Sequence, residues 1–273
     1  MRIGILGANG FLGSNLCKKY LSDGNEVFAF YHHNRNLIPE GCKVLPYQKI
    51  SGSALDCLII SIGGYDGSHN NYLDQYQLLY NVVKNGGFKK IVFFSSTEVY
   101  GAHTMPIQVN TCFNAPKTYG LAKLAQEFLI KSCARFSIIR PTYLYGSGMK
   151  RNSLIPIWVE QALKHKEFSV YGDGQRLQDY LHIDDLCDLC KEVSNGDMND
   201  IIIAASGICT SNQQVAEHIE NMIVGTRVKY IGTDFSPSFQ FDISRTTDSY
   251  NWIPKTTLAV GLKNYIYHEN FSL

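Results

Sequence analysis

The sequence lacks a strong charge bias and a long apolar run. Its 273 residues include 25 basic and 24 acidic side chains, so the chain has no positive excess to attract nucleic acid or an anionic membrane. The longest apolar runs, Cys57–Ile62 and Ile91–Phe94, are far too short to span a bilayer. Because Arg2–Leu6 already has the pattern of a strand, no signal peptide is expected before it. We therefore expect a cytoplasmic protein with no nucleic-acid partner and no membrane partner.

The eight cysteines lack the spacing of a metal site. Cys187 and Cys190 form one CxxC, but their neighbours have the pattern of an amphipathic helix, and no second CxxC or nearby histidine completes a zinc site. Scattered cysteines beside apolar residues are typical of small buried side chains in a reducing compartment. We predict no bound metal.

Short β-rich runs alternate with longer helical stretches. Strands are predicted at Arg2–Leu6, Glu26–Tyr31, Lys43–Pro46, Cys57–Ser61, Lys90–Phe94, Ser137–Arg140 and Ile201–Ala204. Helices are predicted near residues 11–23, 70–86, 119–134, 152–166 and 183–195. This alternation of helices with nearly continuous apolar strands predicts an α/β fold of the Rossmann type, with a doubly wound parallel sheet. A strand at Phe168–Tyr171 and helices near 212–224 and 257–268 predict a smaller C-terminal lobe.

A glycine-rich segment follows the first strand and opens the first helix. Glycines at this place permit a tight turn and let the backbone approach a pyrophosphate, while the helix N-terminus offers free N–H groups to phosphate. The spacing is GxxGxxG, so its position between strand and helix carries the prediction of a dinucleotide site. The residues assigned to the site are Gly7, Asn9, Gly10, Phe11, Leu12 and Gly13. We assign residues 1–165, completed by about 183–210, to the dinucleotide-binding domain, and 166–273 mainly to an interleaved substrate lobe.

The end of the second strand bears on the choice of dinucleotide. An NAD site usually places an acidic residue here for the ribose 2′-hydroxyl, whereas this segment reads FYHHNR with no acid. Arg35, with His32 or His33, could instead hold a 2′-phosphate. NADP(H) is therefore favoured. NAD(H) stays open as the alternative cofactor, and Arg35 could instead be a solvated surface side chain.

Tyr119 and Lys123 are spaced to share one helix face, and Ser95 and Ser96 end a predicted strand. An ammonium beside a phenol favours the phenolate and so lowers the phenol pKa from about 10 toward neutrality. Such a phenol can act as acid or base on a carbonyl/alcohol pair, and a strand-end hydroxyl can hydrogen-bond the same oxygen.

Five further segments accompany these features: SSTEVYG at 95–101, RPTYLYG at 140–146, YGDG at 171–174, DYLHIDD at 179–185 and WIPKT at 252–256. Together the motifs resemble those of the extended short-chain dehydrogenase/reductases, the NAD-dependent epimerase/dehydratase family that acts on nucleotide sugars. The resemblance runs from Met1 to about Leu262. It implies that Tyr119 is the catalytic acid/base, that Lys123 contacts the nicotinamide ribose and tunes Tyr119, and that Ser96 orients the sugar. It further implies a nicotinamide near Ser61, Ile62 and Pro141, and substrate contacts from Ser96, Thr97, Glu98, Tyr143, Arg151 and Arg176.

Departures from the family pattern narrow the expected reaction. Sugar 4,6-dehydratases follow the catalytic Thr with an Asp–Glu pair, but this chain has Thr97 and Glu98 there, so dehydration is disfavoured. Reductases that also epimerise carry a Cys at the position of Glu98 and a His near Gly148, and both are missing here.

The substrate lobe also departs from the pattern. Tyr143 replaces a usual Asn, and Gln178 replaces an Arg that normally contacts the nucleotide diphosphate. Arg176, Lys150 or Arg151 could substitute for that Arg, or could be plain surface charges. The nucleotide and the sugar cannot be chosen from these residues.

Three functions follow from this resemblance. We favour reduction of a nucleotide-diphosphate 4-keto(-6-deoxy) sugar by NADPH. A nucleotide-sugar 4-epimerase with tightly held NAD needs the same three residues, and a non-catalytic dinucleotide-binding regulator is a third alternative. A homodimer is also expected if the helices near 70–86 and 119–134 pair with a second copy through Tyr72, Tyr76, Leu79 and Tyr80, although an intramolecular contact explains these side chains equally well.

Overall fold

A computed structural model describes residues 1–31, 35–63, 69–103, 105–149 and 153–270 of the protein. Its strands, in chain order, are β1 (Arg2–Leu6), β2 (Glu26–Tyr31), β3 (Lys43–Pro46), β4 (Leu55–Ile60), β5 (Phe88–Phe94), β6 (Phe136–Pro141), β7 (Tyr143–Tyr145), β8 (Glu167–Tyr171), β9 (Leu177–His182), β10 (Asp200–Ala204), β11 (Cys209–Ser211) and β12 (Arg227–Ile231).

The α-helices are α1 (Phe11–Ser22), α2 (His69–Asn85), α3 (Thr118–Ile130), α4 (Leu154–His165), α5 (Ile183–Asn195), α6 (Asn212–Met222), α7 (Ser244–Tyr250) and α8 (Leu258–Asn270). Two 3₁₀ helices, η1 (Tyr47–Gly52) and η2 (Thr97–Tyr100), complete the described elements.

Seven strands form one parallel sheet in the order β10-β6-β5-β4-β1-β2-β3. The seven strands predicted for the sheet, from Arg2–Leu6 to Ile201–Ala204, all lie in it, and the predicted α/β, doubly wound fold class is confirmed. The chain reverses its direction of travel across the sheet at β1 and β4, and in folds of this kind ligands bind beyond the carboxyl ends of the strands at that point.

Alternating residues of the central strands enter two different cores. On one face, Ile3 and Ile59 join the core beneath α1 and α5, which are in contact. On the other face, Leu58 and Phe93 join the core beneath α2 and α3. Since both faces of the sheet are covered, its strands are apolar at nearly every position, and this made them recognisable in the sequence.

A second group of elements follows β6. β9 pairs with β7 and β11, while β8 pairs with β12, and α4, α6 and α8 supply the core around Trp158 and Phe168. Phe11 of the glycine-rich segment packs against this core and also against the core beneath α1. The start of α1 therefore lies where the sheet and the second group of elements meet.

The acidic DYLHIDD motif of the C-terminal half has a structural explanation. Asp185 is buried at the start of α5, and its carboxylate accepts the backbone N–H groups of Lys255 and Thr256, each at 3.0 Å. Its carbonyl accepts the Trp252 indole N–H at 3.0 Å. The DD and WIPKT segments thus bind each other and fix the chain before α8.

The described ranges contain no helix that is both long and apolar enough to cross a membrane. Nor do they bring together three His, Cys, Asp or Glu side chains in a way that could hold a metal ion. Cys187 and Cys190 lie buried on α5, as their helical setting predicted.

Candidate active site

The glycine-rich segment forms a cradle that side chains would fill. Gly7 has a φ of +92°, and a Cβ added to it would lie 2.9 Å from the Ser61 hydroxyl. A Cβ on Gly13 would overlap the Gly7 carbonyl oxygen, so the first turn of α1 lies against the loop. Gly10 caps α1 without a side-chain hydrogen bond, and the first turn holds no acidic residue. Backbone N–H groups and the positive end of the helix dipole therefore suit a pyrophosphate, and the residues present fit a dinucleotide.

The cationic residue Arg35 follows the end of β2 by four positions in the sequence. Arg35 is exposed, and its guanidinium carbon lies 5.5 Å from the centre of the Tyr31 ring. Such stacking orients a guanidinium while leaving its N–H donors available. The first acidic residue after β2 is Glu40. His32, assigned to the same site from the sequence, lies outside the described residues.

Lys123 lies at the carboxyl ends of two neighbouring strands. Its ammonium donates to the carbonyl oxygen of Ile62 at 3.0 Å and to that of Phe94 at 2.9 Å, and the residue is only 3 % exposed. A Cβ on Gly63 would lie 2.7 Å from Lys123 Nζ, so the backbone after β4 passes directly beside the ammonium. A buried ammonium needs such partners because isolation from water is costly.

Tyr119 lies one turn before Lys123 on α3. The Lys123 ammonium is 5.9 Å from the centre of its ring, and the centre of the Tyr72 ring of α2 lies 6.2 Å from that centre. A Cβ on Gly120 would overlap the carbonyl oxygen of Glu98, so the start of α3 packs closely on η2. The phenol and ammonium are thus brought together as the helical spacing predicted.

Ser96 lies two residues after β5 and caps η2. Its hydroxyl oxygen accepts the Glu98 backbone N–H at 3.1 Å, and the side chain is buried. Because that oxygen serves as acceptor, the hydroxyl proton remains for another partner. Thr97 lies beside it, with its hydroxyl donating to the carbonyl oxygen of Pro141 at 3.3 Å.

A buried ionic network lies directly behind these groups. Arg140 donates two hydrogen bonds to the Glu127 carboxylate, from Nε at 2.9 Å and from Nη2 at 2.7 Å. The Ser95 hydroxyl donates to the same carboxylate at 2.5 Å, and Arg140 also donates to the Tyr100 hydroxyl at 2.8 Å. Glu127 was not predicted to have a role, although its position four residues after Lys123, on the same helix face, was a usable signal in the sequence. The network ties α3 to the ends of β5 and β6.

The residues predicted to contact the substrate differ in their exposure and in the partners that they already have. Tyr143 is 37 % exposed, and the centre of its ring lies 6.3 Å from that of Tyr180, with the two rings tilted by 40°. The Arg176 guanidinium donates to the carbonyl oxygen of Pro237 at 3.1 Å and lies 4.0 Å from the Asp234 carboxylate, so part of its charge is already compensated. Arg151, and with it Lys150, lies outside the described residues.

Three other polar residues of the motifs face inward. Gln178 is buried and donates to the Tyr180 hydroxyl at 2.9 Å and to Asn212 at 2.8 Å. The Asp179 carboxylate accepts the N–H groups of Ser206 and Gly207, although burial raises its pKa to about 6. His182 caps α5, its Nδ1 accepting the Asp184 N–H at 3.3 Å, and burial lowers its pKa. These residues support loops within the second group of elements.

The comparison with known proteins places the chain in a family. The family described as "NAD dependent epimerase/dehydratase family" matches residues 64–202. The chain belongs to this family, whose members are enzymes. The family match confirms the resemblance inferred from the motifs.

Individual relatives are distant. The chain is 24 % identical to YtcB of Bacillus subtilis, named an uncharacterized UDP-glucose epimerase, over 97 % of both chains. It is also 24 % identical to the dTDP-D-glucose 4,6-dehydratase of Dictyostelium discoideum, over 82 % of this chain and 62 % of that protein. The solved structure of MoeE5 in complex with UDP-glucose and NAD superimposes with a TM-score of 0.87 and 19 % identity, covering 100 % of this chain and 99 % of MoeE5. At that identity the superposition shows a shared fold.

Proposed function

We propose that the protein is an NADPH-dependent reductase of a nucleotide-diphosphate 4-keto(-6-deoxy) sugar. The observation that carries this proposal is the convergence of Ser96, Tyr119 and Lys123 beyond the carboxyl ends of β4 and β5, next to the glycine cradle. A hydroxyl, a phenol and an ammonium in one place are the groups needed to move a proton to a sugar oxygen.

Each of the three residues has a separate task. The Tyr119 phenol donates its proton to the oxygen that develops negative charge at C4. The Lys123 ammonium stabilises the phenolate that remains. The Ser96 hydroxyl, whose oxygen already accepts the Glu98 N–H, donates a hydrogen bond to the same sugar oxygen. When bound, the nicotinamide supplies the hydride.

The proposed cofactor is NADP(H), with NAD(H) as the alternative. The segment from Gly7 to Gly13 holds the pyrophosphate, and Ser61, Ile62 and Pro141 flank the nicotinamide end. Arg35 pairs with a 2′-phosphate in a region without an acidic residue to receive a 2′-hydroxyl. NAD in the MoeE5 complex supports the alternative.

Thr97 argues for reduction over dehydration. Removal of water from a sugar needs an acid beside the catalytic residues, and at the position of the dehydratases' Asp this chain has a hydroxyl that bonds to Pro141. A threonine hydroxyl is too weak an acid for that step. Glu98 alone remains from the Asp–Glu pair, and we propose that it contacts the substrate together with Thr97 and Tyr143.

A nucleotide-sugar 4-epimerase is the second candidate, favoured by the match to YtcB over 97 % of both chains. The two functions differ in their use of cofactor. A reductase consumes one NADPH for each sugar reduced, whereas an epimerase returns its hydride and leaves the cofactor unchanged. The test is to follow absorbance at about 340 nm with NADPH and a panel of nucleotide-linked 4-keto-6-deoxy sugars. Consumption of NADPH in proportion to sugar supports the reductase, while interconversion of 4-epimers without consumption supports the epimerase.

The proposal extends to partners and location. A nucleotide-diphosphate sugar is the proposed substrate. The cytoplasm, where NADPH is held, is the proposed compartment. A homodimer through α2 and α3 is also proposed. Tyr72 and Leu79 are buried within the chain, so the proposed contact rests instead on exposed side chains of both helices: Leu73, Tyr76, Tyr80, Leu121 and Phe128.

A further inference from the structure

A buried serine that the proposed mechanism does not use lies immediately before Ser96. Ser95 is only 3 % exposed, and its hydroxyl donates to Oε1 of Glu127 on α3 at 2.5 Å. Its backbone N–H donates to the carbonyl oxygen of Ile139 on β6 at 2.8 Å. Ser95 is therefore held both by a helix and by the neighbouring strand.

The acceptor of the Ser95 hydroxyl is itself fixed in place. Arg140, next to the last residue of β6, donates from Nε to Oε1 of Glu127 at 2.9 Å and from Nη2 to Oε2 at 2.7 Å. Such a bidentate pair holds a carboxylate in one orientation. A carboxylate paired with a guanidinium accepts hydrogen bonds and donates none, so the Ser95 hydroxyl has one defined partner.

The residues on either side of Ser95 carry two parts of the candidate active site. The Lys123 ammonium donates to the carbonyl oxygen of Phe94 at 2.9 Å. Ser96 has an extended backbone, with φ −160° and ψ 152°, so its side chain projects away from that of Ser95. A rotation of the backbone at Ser95 would therefore move the Ser96 hydroxyl and also the carbonyl group that holds Lys123.

We propose that Ser95 is a positioning residue, whose hydrogen bond to Glu127 sets where the Ser96 hydroxyl lies relative to the Tyr119 phenol. This inference rests on the proposed function, in which both groups act on one sugar oxygen. Tyr119, Lys123 and Glu127 lie at successive turns of α3. The helix thus holds the strand end by two hydrogen bonds, from Lys123 to Phe94 and from Ser95 to Glu127. Two bonds at different turns restrain the orientation of the strand end as well as its distance from α3.

Removal of the Ser95 hydroxyl leaves the buried ion pair intact. In Ser95→Ala the Glu127 carboxylate keeps both hydrogen bonds from Arg140, so no buried charge loses its partner. The variant should therefore fold. The matched control is Ser137→Ala, because Ser137 is 1 % exposed near the opposite end of β6 and donates to the carbonyl oxygen of Met198 at 3.3 Å. Ser95→Thr is the conservative variant, since it keeps a hydroxyl.

The first measurement uses the full-length protein without substrate. Amide hydrogen exchange, followed by mass spectrometry over residues 96–101, reports on the strand end and on η2. We expect exchange there to be roughly tenfold faster in Ser95→Ala than in the native protein, the effect of one lost hydrogen bond to a charged group. Ser95→Thr and Ser137→Ala should exchange at the native rate.

The second measurement is kinetic, and it separates positioning from a general loss of structure. We expect the kcat of Ser95→Ala to fall about 10–100-fold, because a small displacement of reacting groups is costly in rate. The KM for the sugar and the Kd for NADPH should change by less than about twofold, since positioning acts on the transition state. Ser95→Thr should recover most of the lost kcat, and Ser137→Ala should keep the native value.

The two measurements distinguish failure of this inference from failure of the proposed function. The kinetics use whichever turnover the native protein shows, reduction with NADPH or interconversion of 4-epimers. A native protein with neither turnover contradicts the proposed function, and hydrogen exchange then decides the role of Ser95 alone. The positioning role is overturned if exchange in Ser95→Ala equals that in Ser137→Ala, if the kcat of Ser95→Ala stays native, or if Ser137→Ala loses kcat to the same extent.

Discussion

Replacing Glu127 by glutamine should destabilise the protein strongly. Arg140 would keep its charge in a site where it is only 2 % exposed, and its two hydrogen bonds of 2.9 and 2.7 Å would lose their anionic acceptor. Removing one partner of a buried ion pair costs about 3–5 kcal/mol, because the other charge is left without compensation. We expect Glu127→Gln to lose an amount of this order in the free energy of unfolding, measured by urea denaturation.

Two further variants make this prediction specific. The double variant Glu127→Leu/Arg140→Met removes both charges, and most of the lost stability should return, since apolar side chains of similar size often replace a buried pair at little cost. The matched control is Glu160→Gln, which removes the solvent-exposed Lys164–Glu160 pair on α4 and should leave the unfolding free energy within error of the native value. If Glu127→Gln is no less stable than Glu160→Gln, the network does not hold the site as described.

Three other predictions concern the cofactor, pH and assembly. Arg35→Ala should raise the KM for NADPH roughly tenfold, through loss of a charge-assisted contact, and leave that for NADH nearly unchanged; equal effects on both cofactors would remove Arg35 from the 2′-phosphate site. Because burial lowers the pKa of His182 below its ordinary 6.5, the folded state binds fewer protons than the unfolded one, and stability should fall as the pH drops through 6.5 and below. His182→Asn keeps a capping side chain and should flatten this dependence of the urea midpoint, whereas an unchanged slope would assign it to other groups. Phe128→Glu, on the exposed face of α3, should convert a dimer to a monomer in light scattering, with Lys18→Glu at an exposed position of α1 as the control; a dimer in both variants would place the interface elsewhere.

The strands of the main sheet could be predicted from the sequence because burial on both faces makes them apolar throughout. β4, with the sequence LDCLII, has five buried residues of six. β9 was missed because it reads LQDYLH, and Gln178 and Asp179 are buried only by virtue of partners far along the chain, Asn212 and Ser206. β12 was missed because it is mostly exposed and depends on its pairing with β8.

The ends of the helices and the contacts within the site could likewise be predicted only in part from the sequence. The third helix was predicted to run to residue 134, but it ends at Ile130, where tight turns by Ser132 and Cys133 lead into β6. Tyr119 and Lys123 could be paired from sequence because helical spacing alone joins them. The contacts of Lys123 with Ile62 and Phe94 could not, since they depend on how α3 lies over the strand ends.

The central claim is that Tyr119 transfers a proton in an NADPH-consuming reduction. The most direct test follows NADPH oxidation and sugar product together for the native protein, for Tyr119→Phe and for Tyr80→Phe, an exposed tyrosine that serves as the matched control. We expect equal amounts of NADPH consumed and sugar reduced in the native protein and in Tyr80→Phe. Tyr119→Phe should bind NADPH as before but turn over about 10²–10⁴-fold more slowly. Native turnover by Tyr119→Phe, or product formed without NADPH consumption, would contradict the claim.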